Sequence, residues 1–167
     1  NPKFAYIWIR LQSLSICPLM SQENVTKIPF MKMHGLGNDF VVMDERGITP
    51  RVDAALAVAI ADRHRGVGYD QLTVLSDTPD ADVHLTFWNA DGSQSAACGN
   101  ATRCIARHLM DQTGKTALTI TTDRGTLQAV DQDGMASINM GHPQLDWADV
   151  PLASEMDTLE LPIDGGP

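Results

Sequence analysis

The sequence predicts an α+β fold in which a curved sheet, mixed or antiparallel, wraps around a central helix. Apolar residues recur with helical spacing in two segments, residues 52–64 and a segment that begins at Cys98 and stops at Gly114. Six other segments have the length and apolar pattern of strands. These are residues 40–44, 71–75, 83–88, 117–122, 126–130 and 135–140. Few helices among many strands favour the α+β class over a regular alternation of the two.

The composition is that of an acidic globular protein. Of the 167 residues, 43% are hydrophobic, and 12 basic against 21 acidic residues give a net charge of −9. This charge argues against a nucleic-acid partner and against attraction to an anionic membrane surface. Three cysteines without framework spacing suggest a reducing compartment, and we therefore expect a cytoplasmic protein.

The chain divides into three parts. We expect residues 1–30 to be an extension or a disordered tail, residues 31–150 to form the folded lobe, and residues 151–167 to be a connection that follows it. Residues 4–9 are apolar, but Arg10 and Pro18 interrupt them far short of the roughly 20 apolar residues that cross a membrane. The segment also lacks the apolar centre and cleavage site of a secretory signal.

Cys98 is the residue whose position in the sequence most favours a catalytic role. It lies at the mouth of the second predicted helix, where unpaired N–H groups and the positive end of the macrodipole favour a thiolate. A thiolate acts as a nucleophile or as a base in proton transfer. The alternative is that Cys98 is a small buried residue, as many free cysteines are.

Cys104 is expected to belong to the core. It follows Cys98 by six residues, so on a helix it points roughly 120° away from Cys98. That geometry disfavours both a disulfide between the two cysteines and a shared metal ion.

Four motifs in one order resemble the first half of diaminopimelate epimerase, a pyridoxal-independent amino-acid epimerase. They are MHGLGNDF at residues 33–40, RGVGYDQ at 65–71, NADGS at 89–93 and CGNATRC at 98–104. The resemblance runs from about Met31 to the last residue. Ala101 departs from the glycine common at that position in the family, and a helix tolerates alanine better than glycine.

The resemblance implies a fold that repeats this lobe twice in tandem, with this chain as the N-terminal lobe. Residues 151–167 would lead toward a second lobe that carries the second reactive cysteine. The implied reaction interconverts LL- and meso-2,6-diaminopimelate by two-cysteine acid–base proton transfer, in the biosynthesis of lysine and of peptidoglycan precursors. One lobe alone is expected to be inactive, since the reaction needs an acid and a base on opposite sides of Cα.

The resemblance also implies which residues meet the substrate. Cys98 would be the catalytic acid–base group, without a cofactor. The substrate-binding residues would be Asn38, Gln71, Asn89, Gly99 and Asn100. Taken alone, each amide is as readily a turn former, and Asn100 a helix cap, as a ligand-binding residue. The expected partners are a small amino-acid substrate and, as a further option, a second copy of the chain in a homodimer.

Other interpretations have less support. The segment Gly35-Leu36-Gly37 lacks the third glycine of a dinucleotide-binding fingerprint and precedes a strand. The five histidines show no close ligand spacing, so no metal site is expected. Two alternatives to the epimerase lobe remain open, namely a folded module without catalysis and a related two-cysteine racemase such as proline racemase.

Overall fold

The structure, a computed structural model, describes residues 5–9, 26–150 and 152–162. Within these ranges the chain forms nine strands and two helices. The strands are β1 (Ala5–Ile9), β2 (Thr26–Gly35), β3 (Asn38–Asp44), β4 (Gln71–Ser76), β5 (Val83–Asn89), β6 (Gln94–Ser95), β7 (Ala117–Thr122), β8 (Gly125–Gln132) and β9 (Met135–Asn139), and the helices are α1 (Ala54–Ala61) and α2 (Gly99–Thr113). Neither helix of the described residues has the length and apolar character needed to span a membrane.

The strands form one mixed sheet that curves around α2. Their order is β1-β2-β3-β4-β5-β7-β8-β9, with β6 paired to β5 beside this path. The pairs β3–β4 and β5–β7 are parallel and the other neighbours are antiparallel. Helix α2 contacts β2 on one side and β7, β8 and β9 on the other. The predicted class, an α+β fold with a curved sheet around a central helix, is therefore confirmed.

Helix α2 is held in place by its apolar stripe. Ala101, Ile105, Ala106 and Leu109 recur with helical spacing and are all buried against the sheet. The helix stops at Gly114, which has a φ of 71° and donates its N–H to the carbonyl of Met110 at 2.8 Å. The start and the end of α2 thus follow from its sequence, as predicted.

Each face of the sheet has its own hydrophobic core. On the side of α2, residues of β2, β3, β4, β5, β7 and β8 pack around the helix, and Phe40, Leu85 and Phe87 are essentially without solvent exposure. On the opposite side, α1 packs Ala57 and Ile60 against the alternate residues of β2, β3 and β4. Strand residues alternate between the two faces, which is the expected pattern for a sheet covered on both sides.

The first strands differ from the expectation for the N-terminal part. Ala5–Ile9 pairs with β2 in antiparallel register, where an extension or disordered tail was expected. Strand β2 begins at Thr26, five residues before the predicted boundary at Met31, and contains Pro29, a residue that lacks an N–H for the ladder. Cys17 lies outside the described residues. The division of the chain at residues 30 and 150 stays a prediction.

Helix α1 is shorter than the predicted segment. Asp53 precedes it and accepts the N–H of Leu56 at 2.8 Å, so this residue caps the helix. The helix ends at Ala61, three residues before the end of the predicted segment at residue 64. The N–H groups of Val67 and Gly68 both bond the Ile60 carbonyl, at 3.0 and 2.9 Å, which folds the chain back over the helix end.

Four charged side chains form a cluster where β3 and β4 begin, and we call Lys32, Asp39, Arg63 and Asp70 the charged cluster. Asp39 accepts from Lys32 at 2.6 Å and from Arg63 at 2.8 Å, and Arg63 also donates to Asp70 at 2.8 Å. The hydrogen bond from the Arg63 guanidinium holds the pKa of Asp39 well below its ordinary value. The cluster thus ties β2, the loop after α1 and the starts of two strands together.

We predict that the charged cluster makes the fold sensitive to acid through Asp39. Because folding lowers the pKa of this carboxyl, its stabilising effect is complete above the unfolded pKa of about 3.9 and is lost as the pH falls further. Asp39→Asn should therefore reduce the free energy of unfolding at pH 7 and flatten its decline below about pH 5. Urea unfolding between pH 7 and pH 3 measures both effects.

Asp80→Asn is the control for this experiment. Among the described residues the Asp80 carboxylate forms no ion pair and accepts no side-chain hydrogen bond, so the control removes a carboxylate without touching the cluster. The same decline below pH 5 in Asp39→Asn and in the unchanged chain would contradict the prediction.

Candidate functional site

The three amide residues singled out in the sequence lie at one end of the sheet. Asn38 is the first residue of β3, Gln71 the first of β4 and Asn89 the last of β5. Since β3 and β4 are parallel and β5 runs opposite to β4, these positions share the same sheet end. The register aligns Gln71 with Phe40 and with Asn89. All three amides are therefore on the face of the sheet that α2 covers.

Cys98 is the N-cap of α2. Its Sγ atom accepts the backbone N–H of Ala101 at 3.5 Å, while its carbonyl accepts the N–H of Thr102 at 2.9 Å. The sulfur thus takes the place usually occupied by a serine or aspartate oxygen. An N–H donor and the positive helix end both stabilise negative charge on this sulfur. The cap belongs to Cys98, so the alternative role of Asn100 as a cap is not observed.

The first turn of α2 lies against the tip of the β2–β3 hairpin. Gly35, the last residue of β2, pairs with Asn38, and a Cβ atom at Gly35 would stand 3.5 Å from the Cβ of Asn100. This contact places the start of the helix next to the sheet end that carries the amides. Among the described residues, no hydrogen bond joins Cys98 directly to any of these amides.

Gln71 and Asn89 are linked in a chain of hydrogen bonds. Gln71 donates its Nε2 to Asn89 Oδ1 at 3.3 Å, and Asn89 donates its Nδ2 to the Ser93 hydroxyl at 3.0 Å. Asp91 in turn accepts both the N–H and the hydroxyl of Ser93, which orders the loop before Cys98. In the described part of the chain, Gln71 Oε1 has no donor and stays open as an acceptor.

Two further amides are oriented by charged neighbours. Asn38 donates Nδ2 to Asp70 at 3.2 Å, and Asn100 Oδ1 accepts a hydrogen bond from Arg103. A carboxylate only accepts and a guanidinium only donates, so the orientation of each amide is determined. Asn38 therefore presents its oxygen, and Asn100 its NH₂ group, to the remaining space.

An open cavity lies beside the helix start. It has a volume of about 430 Å³ and is lined by Gly99, Asn100, Arg103, Ile138 and Met140. A Cβ atom built at Gly99 would meet no atom within 4 Å, so the space in front of this residue is free. A second cavity of about 510 Å³, between residues 145–147 and 155–159, is lined by none of the predicted site residues.

Cys104 differs from Cys98 in its surroundings. Both are free thiols of intermediate exposure, but Cys104 Sγ lies 3.5 Å from the His34 carbonyl, and burial raises the pKa of Cys104. Cys104 packs against the core cluster on the α2 side without being fully buried. The prediction that it belongs to the core is met in part.

No metal-binding cluster is found in the described residues, where no three His, Cys, Asp or Glu side chains are grouped suitably for an ion.

Sequence reasoning missed the residues that orient the amides. Asp70 and Arg103 lie inside two of the quoted motifs, and that membership is the signal that could have drawn attention to them. Arg63 lies outside the motifs, and its bonds to Asp39 and Asp70 depend on the tertiary fold.

Comparison with known proteins agrees with the sequence motifs. Residues 30–145 match the diaminopimelate epimerase family. The chain is 49% identical over 140 residues to a diaminopimelate epimerase of Acidiphilium cryptum (strain JF-5), which covers 83% of this chain and 50% of that protein. It is 48% identical over 141 residues to a diaminopimelate epimerase of Rhodospirillum centenum, with 83% and 48% covered. The chain thus spans about half the length of the curated relatives it matches.

A solved structure supports the fold. A probable proline racemase from Agrobacterium radiobacter K84 superposes with a TM-score of 0.53 at 18% sequence identity, over 68% of this chain and 41% of that one. This likeness concerns the fold, one lobe of the diaminopimelate epimerase-like architecture. The family match over residues 30–145 shows that the chain belongs to the diaminopimelate epimerase family.

Proposed function

We propose that this chain supplies one half of the active site of a pyridoxal-independent epimerase that interconverts LL- and meso-2,6-diaminopimelate. The observation that carries the proposal is the position of Cys98, whose sulfur caps α2 beside an open cavity. The enzyme would be a cofactor-independent isomerase of the cytoplasm, in the biosynthesis of lysine and of peptidoglycan precursors. The family match and the two relatives near 50% identity favour diaminopimelate over the proline-type alternative.

The polar groups at the start of α2 and at the neighbouring sheet end suit a zwitterionic amino acid. The free N–H groups at the start of α2 and the outward NH₂ of Asn100 are donors for a carboxylate. The open oxygens of Asn38 and Gln71 are acceptors for an ammonium group. Neutral amides orient both ends of such a substrate without neutralising either charge.

Cys98 would transfer the Cα proton. The thiolate removes the proton and becomes a thiol, and the electron pair left on Cα is delocalised toward the carboxylate. Donors at the helix start stabilise the growing negative charge on the carboxylate oxygens. A second acid on the opposite side of Cα then delivers a proton, which inverts the configuration. In the reverse direction the two groups exchange roles.

The second acid–base group is expected from the other half of the enzyme. The relatives are about twice as long as the part of them that this chain matches, and the family resemblance implies a second cysteine there. The activity therefore belongs to a polypeptide in which this chain forms the first half, and the proposal is tested in that polypeptide.

We predict that Cys98 is alkylated faster than Cys104. The Cys98 sulfur lies at the start of α2 beside the N–H of Ala101, whereas burial raises the pKa of Cys104 and so lowers its thiolate fraction. The measurement is limited alkylation with iodoacetamide near pH 7, followed by peptide mapping. Cys17→Ser is introduced throughout, so that two thiols are compared. Preferential labelling of Cys104 would contradict the assignment of Cys98 as the reactive thiol.

We predict that Cys98→Ala in the full-length polypeptide slows epimerisation by at least about 10²–10⁴-fold, the usual cost of losing one proton-transfer group. One stereoisomer, whose Cα–H faces the remaining cysteine, should still exchange that hydrogen in D₂O while keeping its configuration. Each isomer is incubated separately, and α-deuteration is read by NMR and configuration by chiral chromatography.

Cys104→Ala is the matched control, because it makes the same substitution on the same helix. It should retain activity within a few fold, since Cys104 is assigned no role in proton transfer. Near-normal epimerisation by Cys98→Ala would remove Cys98 from the mechanism. Absence of epimerisation in the unchanged full-length polypeptide would overturn the proposed function itself.

A further inference from the structure

The charged cluster lies directly behind Asn38, one of the amides proposed to meet the substrate. Asn38 is followed in β3 by Asp39, and its Nδ2 donates to Asp70 Oδ2 at 3.2 Å. Asp70 Oδ2 also accepts the backbone N–H of Asp39 at 3.0 Å. The carboxylate that receives the Asn38 amide is thus part of the network that joins β3 to β4.

Asp70 is fixed through both its side chain and its backbone. Its Oδ1 atom accepts from Arg63 Nη2 at 2.8 Å, so both carboxylate oxygens have donors. Its N–H bonds the Asp39 carbonyl at 2.9 Å and the Asp39 carboxylate at 3.1 Å. The preceding residue, Tyr69, is buried and donates its hydroxyl to the Ala57 carbonyl at 2.6 Å. The Asp70 carboxylate therefore has little freedom to rotate.

The Asp70 carboxylate selects one of the two possible orientations of the Asn38 amide. The two ends of an amide are nearly equal in size, so packing alone does not distinguish them. An ionised carboxylate has no hydrogen to donate, so only the NH₂ group of the amide satisfies it. Oδ1 is then turned away from Asp70, and among the described residues it has no donor. A reversed amide would present N–H groups to an ammonium group, which has no acceptor for them.

We propose that Asp70 is a positioning residue that holds the Asn38 amide with Oδ1 toward the substrate ammonium, and that Arg63 holds Asp70 for this purpose. The inference rests on the proposed function for the identity of the ligand. The orientation of the amide itself rests on the contacts of the free protein. Asp70 does not touch the substrate, and its effect is transmitted through Asn38.

The test compares Asp70→Asn with the unchanged full-length polypeptide. An asparagine at this position both donates and accepts, so it no longer selects one orientation of Asn38. KM for diaminopimelate should rise about tenfold while kcat stays within about threefold, because the lost interaction is made with ground state and transition state alike. An unchanged KM in an active Asp70→Asn enzyme would overturn the proposal.

A second variant covers the case in which Asp70→Asn fails to fold. The Arg63 side chain is 54% exposed, so Arg63→Gln removes the support of Asp70 at a less buried position. It should raise KM in the same direction but by less. The matched control is Asp82→Asn, which also removes a carboxylate that accepts from a basic side chain and a backbone N–H, here Lys115 at 2.5 Å and Thr119 at 2.7 Å. The control should leave KM unchanged.

A second readout does not depend on activity. With ¹⁵N-labelled asparagine, the side-chain NH₂ resonances of Asn38 are identified by their disappearance in Asn38→Ala. In the unchanged protein they should exchange slowly with water, and in Asp70→Asn they should shift and exchange faster. Unchanged resonances would overturn the positioning role, even if the protein did not epimerise diaminopimelate. If the unchanged full-length polypeptide is inactive but Asp70→Asn alters the Asn38 resonances, the proposed function is contradicted. The role of Asp70 in orienting Asn38 is then still supported.

Discussion

The burial of α2 inside the curved sheet is the constraint on which the candidate site depends. The apolar stripe of the helix allows one rotational setting, in which Ile105 and Leu109 face the core. Because Gly35 lies against the first turn, the axial position of the helix is also limited. These two restraints bring the first turn of α2 next to the sheet end where β3 begins. Hydrophobic packing thus sets the position of the helix start that Cys98 caps.

The directions of the strands determine which residues come together at this sheet end. The parallel pair β3–β4 puts two strand starts side by side, and the antiparallel β5 brings a strand end to the same place. Residues at these three positions share one face because side chains alternate along each strand. Three amides far apart in the chain therefore reach one surface. Behind this surface, the charged cluster contacts one of the amides, since Asp70 accepts a hydrogen bond from Asn38.

Local pattern was enough to predict most elements of this fold. The predicted strand at residues 117–122 coincides with β7, and the apolar stripe with the following Gly114 located α2. Strand β2 was not predicted, because Pro29 weakens the strand pattern of residues 26–35, although this residue is tolerated in the strand. The two-residue β6 is too short for any periodicity to indicate it. The capping of α2 by the Cys98 side chain was not predicted, since thiols seldom cap helices.

The site residues were identified from motifs, but their orientation was beyond the reach of sequence reasoning. The bond between Gln71 and Asn89 and the bond between Asn38 and Asp70 join residues far apart in the chain. They depend on strand order and register, which composition and spacing do not reveal. The position of Arg63 depends on the way residues 62–68 fold back over the end of α1. Which end of each amide is left without a protein partner is thus a property of the tertiary structure.

Gly99 has open space in front of it, so the fold itself does not explain why this residue is a glycine. An added methyl group there would meet no protein atom within 4 Å, and alanine is intrinsically the better residue for a helix. The polypeptide itself therefore has no steric reason to require glycine at this position. The methyl group would instead stand over the N–H groups at the start of α2, where an anion would approach. Under the proposed function, the glycine keeps this space open for the substrate carboxylate, at a cost in the intrinsic stability of the helix.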